Sequence, residues 1–184
     1  MNNTKEMLIQ NYQPDWVYNF NSIKGVIKEA LWDIEITIEH VGSTAVKDLA
    51  AKPIIDIDIV YDKNVSFATI ERGLEKLGYY HNGDQGIKER EAFKRKTTAT
   101  KHSVLDNITH HLYVCPIHSR ELQRHILFRD YLIKNASERE MYQKIKLEIA
   151  KKANQDRKVY AKLKETMAKE FIESVLEKAR EERT

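Results

Sequence analysis

The chain has 184 residues, enough for one ordinary domain with its own core and too few for two large ones. Its 31 basic and 28 acidic residues leave a formal charge of +3, a balance that asks for no polyanionic partner, so nucleic acid is not expected as the main ligand. A lone Cys115 excludes an internal disulfide, no apolar run approaches the roughly 18 residues of a membrane span, and the polar start Met1 to Glu6 lacks a leader's layout; a cytoplasmic protein is expected.

From Trp16 to Trp32, apolar residues at Val17, Phe20, Ile23, Val26, Ile27, Ala30 and Leu31 recur near every 3.6 positions and predict an amphipathic helix started by Pro14-Asp15. Ile34, Ile36 and Ile38 then alternate with Glu35, Thr37 and Glu39, the period of a half-buried strand, and Val41-Gly42-Ser43-Thr44 follows as a tight turn. Beyond Lys52-Pro53, the run Ile54 to Tyr61 is the strongest strand signal, interrupted by Asp56 and Asp58. Phe67, Ile70, Leu74 and Leu77 lie at helical spacing with Gly78 as a stop, and Tyr79-Tyr80 opens a further strand. The polar interval from Gly83 to Asp106 has room for one or two more strands. His110 to Cys115 reads as a strand closed by Pro116, which cannot donate to a ladder.

Helical patterning takes over from Ser119. Leu122, Ile126, Leu127 and Tyr131 form one stripe, Met141 to Ala150 a second and Val159 to Leu176 a third, while the charged tail from Glu177 to Thr184 is expected to fray. The expected organisation is a single α+β domain over residues 1–184: a mixed sheet packed by helices over 14–116, then a helical part over 117–178.

Asp56 and Asp58 are two apart on a strand, so both carboxylates project from one face while Ile55, Ile57 and Ile59 take the other. Two acids on one face repel unless a cation or protons intervene, and Mg2+ or Mn2+ suits oxygen ligands. The plain alternative is the solvated face of an edge strand. Upstream, Gly42 lets backbone approach a ligand, and the hydroxyls of Ser43 and Thr44 with neighbouring N–H groups offer donors to phosphate. Strand, Gly-Ser turn, short connector and Asp-x-Asp strand together resemble the signature of the nucleotidyltransferase superfamily.

A narrower resemblance lies in Ile38-Glu39-His40-Val41-Gly42-Ser43-Thr44-Ala45-Val46, continued by Leu49-Ala50-Ala51-Lys52-Pro53-Ile54-Ile55-Asp56-Ile57, which looks like the hallmark block of the GrpB family (UPF0157-type). Tyr12-Gln13-Pro14-Asp15-Trp16, Arg90 with Phe93, His111-Leu112-Tyr113-Val114, Phe128-Arg129-Asp130-Tyr131-Leu132, Tyr142-x-x-x-Lys146 and Tyr160-x-x-x-Lys164 agree with it. The resemblance implies a nucleotidyltransferase-like fold, with Asp56 and Asp58 in the metal role and Gly42 and Ser43 in the phosphate role. It implies no substrate. The superfamily's third carboxylate, on a neighbouring strand, has no counterpart here, because His111-Leu112-Tyr113 stands at that strand; His111 could serve as a base or a nitrogen ligand.

Lys52 stands where it could neutralise phosphate charge, or it is simply exposed. Arg90 gains weight from the family match. Lys164, one turn after Tyr160, could reach a triphosphate or could be one more charge on a Lys-rich helix. Arg129-Asp130 reads as an ion pair tying the helical part to the sheet, and His40 as a group that could orient the turn. His110, His118 and His125 have no zinc-like spacing. The leading expectation is a metal-dependent nucleotidyltransferase: Asp56, Asp58 and His111 catalytic, Gly42, Ser43, Thr44, Lys52, Arg90 and Lys164 binding a nucleoside triphosphate, Mg2+ or Mn2+ on the two acids, and an unidentified small-molecule acceptor. The alternatives are a nucleotide- or coenzyme-binding protein without turnover, and an RNA-associated protein using the Lys88 to Lys101 interval with Phe93 as a stacking residue.

Overall fold

A computed structural model describes residues 7–96 and 100–183. Residues 1–6, 97–99 and 184 lie outside it, and with them the polar start and part of the basic interval.

Helix α1 covers Asp15–Ala30, with Asp15 in its first turn, where a negative charge meets the positive end of the helix. It buries Trp16, Phe20, Ile23 and Ile27. Strand β1 (Ile36–Val41) leads through Gly42 into a short 3-10 turn, Ser43–Ala45, and a connector returns as β2 (Ile55–Tyr61). Then come α2 (Phe67–Lys76), β3 (Tyr79–His81), β4 (Glu91–Arg95), the one-turn helix α3 (Ser103–Asn107) and β5 (His110–Pro116). The helical part holds α4 (Arg120–Lys134), α5 (Ala136–Lys152), α6 (Arg157–Met167) and α7 (Lys169–Glu181).

The strands form one mixed sheet in the order β1-β2-β5-β4-β3. β2 pairs antiparallel with β1 and parallel with β5, so the acid strand is central and hydrogen-bonded on both sides. That answers the edge-strand alternative. The parallel register sets Asp56 beside His111 and Asp58 beside Tyr113. Strand alternation divides the two faces. Ile55, Ile57, Ile59, Leu112 and Val114 pack with the buried face of α1 in the main core. Each fully buried branched side chain contributes roughly 1.5–3 kcal/mol, which holds β2 in place against the cost of an acid on its other face.

A second core joins the helices to the connector: Val46, Leu49 and Ala50 pack with Tyr131, Leu132, Tyr142, Ile149 and Tyr160. Polar anchors fix the same segment. Gln143 accepts a hydrogen bond from the Ala50 N–H at 2.7 Å, and Gln10 and Ala51 exchange backbone bonds of 2.8 and 2.9 Å.

The interval after Gly83 holds one strand, within the one or two expected, and the short α3. Three details differ from the sequence expectations. Phe93, the stacking residue of the RNA-associated alternative, is buried in the main core, because β4 turns it to the α1 side of the sheet. The stripe from Val159 to Leu176 is two helices, which meet at the fully buried Ala168. The tail stays helical to Glu181, since Leu176 and Ala179 are buried.

Candidate phosphate and metal site

The site lies on the acid-bearing face of the sheet, where β1 ends and the helical part closes over. Gly42 has φ 73° and ψ −171°, a backbone region that only glycine occupies readily. A Cβ there would collide with the Asp56 carboxylate. Glycine thus allows the turn and the acid to come into direct contact.

The turn is held from both sides. His40 stacks on Phe20 with 4.5 Å between ring centres, and burial depresses its pKa to about 4, leaving it neutral. Thr44 is buried and donates its hydroxyl proton to the Ile54 carbonyl at 3.3 Å, so the His40 Nε2–H donates to Thr44 Oγ1 at 3.0 Å. His40 therefore orients the turn, and the Thr44 hydroxyl, expected among the phosphate donors, is engaged within the turn itself. From the other side, Lys146 of α5 donates to Ser43 Oγ at 3.0 Å and to the Ala50 carbonyl. This lysine is 2% exposed, and burial, with the nearby Lys164 charge, lowers its pKa well below the ordinary value. Arg129 completes the frame, binding Glu39 at 2.7 Å, the His40 carbonyl at 2.9 Å and Asp130 at 2.8 Å. The ion-pair reading of Arg129-Asp130 is extended by this tie between α4 and β1.

Each strand acid is met by an imidazole. His111 on β5 donates its Nδ1–H to Asp56 Oδ1 at 2.8 Å and is 53% exposed. Asp58 is fully buried, and His125 of α4 donates its Nδ1–H to Asp58 Oδ2 at 2.7 Å while its Nε2 lies 3.3 Å from Glu121. Burial opposes the charge on His125, but the two carboxylates outweigh it and raise its pKa to about 9. Glu121 is lowered in turn, chiefly by its bond to His125.

A cavity of about 700 Å³ opens over the turn, Asp56, His111 and His125, roofed by the helical part. Lys52 and Lys164 line it beside Gly42 and Ser43. The Lys52 ammonium sits 4.0 Å from the Tyr160 ring centre, and burial together with the Lys164 and Arg157 charges brings its pKa to about 8. Lys164 is held above its ordinary value, first by the neighbouring Tyr142. Arg90 lines the cavity too, but on the β4 side, across the acids from the turn.

Among the described residues no cluster of three or more acidic, histidine or cysteine side chains could cage a metal. Mg2+ asks for less, since it is commonly bound by one or two carboxylates and completed by phosphate oxygens and water. Asp58 Oδ1 is buried with no hydrogen-bond partner, the donor set is carboxylate oxygen, and Gly42 keeps the space beside Asp56 free of a side chain. The two carboxylates are of the kind such an ion takes; Asp56 lines the cavity and Asp58 is fully buried.

The structure brings together the expected Gly42, Ser43, Lys52, Asp56, His111 and Lys164, and sets Arg90 on the opposite flank. Sequence reasoning passed over His125, Glu121 and Lys146. The Tyr142-x-x-x-Lys146 spacing was a signal for the last; His125 gave none, because Asp58 lies on a distant strand, and Glu121 offered only its i,i+4 spacing from His125.

The fold is nucleotidyltransferase-like. A poly(U) polymerase, Cid1, crystallised as a mutant bound to MgATP, superposes with a TM-score of 0.54 at 12% identity over 80% of this chain and 45% of its own, a likeness of fold. More narrowly, the chain belongs to the GrpB family, described as GrpB protein, whose model matches residues 6–178. Among its relatives, the glutamate-rich protein GrpB of Alkalihalophilus pseudofirmus is 31% identical over 95% of this chain and 96% of that one. A UPF0157 protein of Halalkalibacterium halodurans is 30% identical over 88% and 78%. The crystal structure of GrpB from Enterococcus faecalis superposes with a TM-score of 0.74 at 27% identity, covering 92% of this chain and 98% of that chain.

Proposed function

We propose that the protein is a metal-dependent nucleotidyltransferase, moving a nucleotidyl group from a nucleoside triphosphate to a small acceptor and releasing pyrophosphate. The observation that carries this reading is the direct contact of the Gly42-Ser43 turn with Asp56, under a cavity whose turn side carries Lys52 and Lys164. Ser43 and the turn's N–H groups take phosphate oxygens, and the two lysines balance the charge of the β- and γ-phosphates. Asp56 and Asp58 hold the divalent ion, which would draw charge from the α-phosphoryl group. Lys146 fixes Ser43 and His40 fixes the turn, so the donors are placed before the ligand arrives. The MgATP bound by the Cid1 mutant on a similar fold supports both the ligand class and the ion.

A second reading, binding of a nucleotide or coenzyme without turnover, is favoured by one observation: the β5 residues in register with the acids are His111 and Tyr113, not a carboxylate. Calorimetric titration with a non-hydrolysable ATP analogue, with and without Mn2+, tests what both share. Mn2+-dependent binding is expected, and its absence overturns both. Pyrophosphate release from nucleoside triphosphates separates them.

A further inference from the structure

We infer that the acceptor is an oxyanion, the phosphate group of a monoester or a carboxylate, held by Arg90 on the β5–β4 flank of the cavity and attacking through an oxygen already ionised. The inference rests on the proposed transfer reaction and names its acceptor.

Position comes first. Across the sheet the order is β1 with the Gly42-Ser43 turn, β2 with Asp56 and Asp58, β5 with His111 and Tyr113, then β4 preceded by Arg90. In-line displacement puts the attacking and leaving groups on opposite sides of the α-phosphorus. With the β- and γ-phosphates at the turn and its lysines, attack comes from the β5–β4 flank, where Arg90 lines the cavity.

Charge comes second. Among the described residues Arg90 has no ion pair, and its Nε is buried without a hydrogen-bond partner. The acids near it in chain or space are engaged elsewhere: Glu121 lies 3.3 Å from His125 and 3.5 Å from Arg124, Glu89 lies 3.7 Å from His118, and Glu91 lies 2.6 Å from His81. The guanidinium carbon stands 4.5 Å from the Tyr113 ring centre, within cation–π reach. A planar guanidinium without an ion pair selects a phosphate or a carboxylate.

Chemistry comes third. A hydroxyl acceptor needs a base, and on β5 the group in register with Asp56 is His111, its Nδ1–H already given to Asp56, in place of a carboxylate. A phosphate or carboxylate oxygen needs none. Its lone pair forms the new bond to the α-phosphorus, the bond from that phosphorus to the bridging oxygen breaks, and pyrophosphate leaves with the electron pair. Free Arg90 and the missing carboxylate thus have one explanation.

The test loads the protein with a non-hydrolysable ATP analogue and Mn2+, then titrates phenyl phosphate, acetate and glycerol in parallel. Wild-type protein should bind an oxyanion and not glycerol; the tighter of phenyl phosphate and acetate identifies the source. Arg90→Gln should lose roughly tenfold or more of that affinity while analogue affinity stays unchanged, and Arg90→Lys should keep part of it. Pyrophosphate release from ATP should follow the same order of acceptors. Binding of glycerol as tight as the oxyanions, no oxyanion binding by the analogue-loaded wild type, or an Arg90→Gln protein with full oxyanion affinity would each overturn the inference. Should Arg90→Gln fail to fold, the wild-type selectivity and Arg90→Lys decide alone. Failure of the wild type to bind the analogue overturns the proposed function itself.

Discussion

His125 Nδ1 lies 2.7 Å from Asp58 Oδ2, so the buried acid of the central strand is matched by an imidazole delivered from α4. The contact links sheet to helices across 67 positions of sequence. It also makes the site's architecture sensitive to the charge on one histidine.

His125 titrates at about 9 in the folded protein against an ordinary 6.5, so folding favours its protonated form. The stability this gives is fully present below pH 6.5 and is lost as pH rises through about 9. His125→Asn should therefore cost about 1–3 kcal/mol in urea unfolding near neutral pH and progressively less in alkali. A mutational cost that does not change with pH would contradict the pairing.

Gly42→Ala should be disproportionately harmful for one added methyl. The backbone region costs a non-glycine residue roughly 1–3 kcal/mol, and the new Cβ meets Asp56. Thermal unfolding should show a lower midpoint, and analogue binding should weaken even in protein that remains folded.

Lys146→Met keeps an unbranched apolar stem, one heavy atom shorter, while removing a buried amine. Stability should fall by about 1–3 kcal/mol, because the buried Ala50 carbonyl loses its donor although no ion pair is lost. Ser43 loses the partner that fixes its hydroxyl, so nucleotide affinity should fall by roughly tenfold. Unchanged affinity in calorimetry would remove Lys146 from the site's frame.

Arg129→Ala leaves Glu39 and the His40 carbonyl without their shared donor. A loss of about 1–3 kcal/mol in chemical unfolding is expected from those partly buried groups. Arg129→Lys should recover only part of it, since an ammonium cannot reproduce the fork that spans Glu39, Asp130 and the carbonyl.

Much of the sheet was legible because strand periodicity shows directly in sequence: Ile55 to Ile59 alternate with the acids, and the structure keeps that division of faces. The Gly-Ser turn was legible because the sequence marks a break in periodicity there. β4 was harder, since Glu91 to Arg95 carries charges on the side of Phe93 and hides its buried face. The break at Ala168 was invisible because both flanking helices continue the same stripe. What escaped the site were contacts made only by tertiary folding. Lys146 stood out only by its spacing from Tyr142, with no pointer to Ser43, and nothing in the spacing of His125 refers to Asp58.

The most direct measurement is a crystal of the protein soaked with a non-hydrolysable ATP analogue and Mn2+, read by the anomalous signal of the metal. The account predicts manganese bound by Asp56 and Asp58, phosphates on Gly42-Ser43 with Lys52 and Lys164 beside them, and an open face toward Arg90. Manganese bound away from both acids, or a nucleotide seated without contact to the turn, would contradict it.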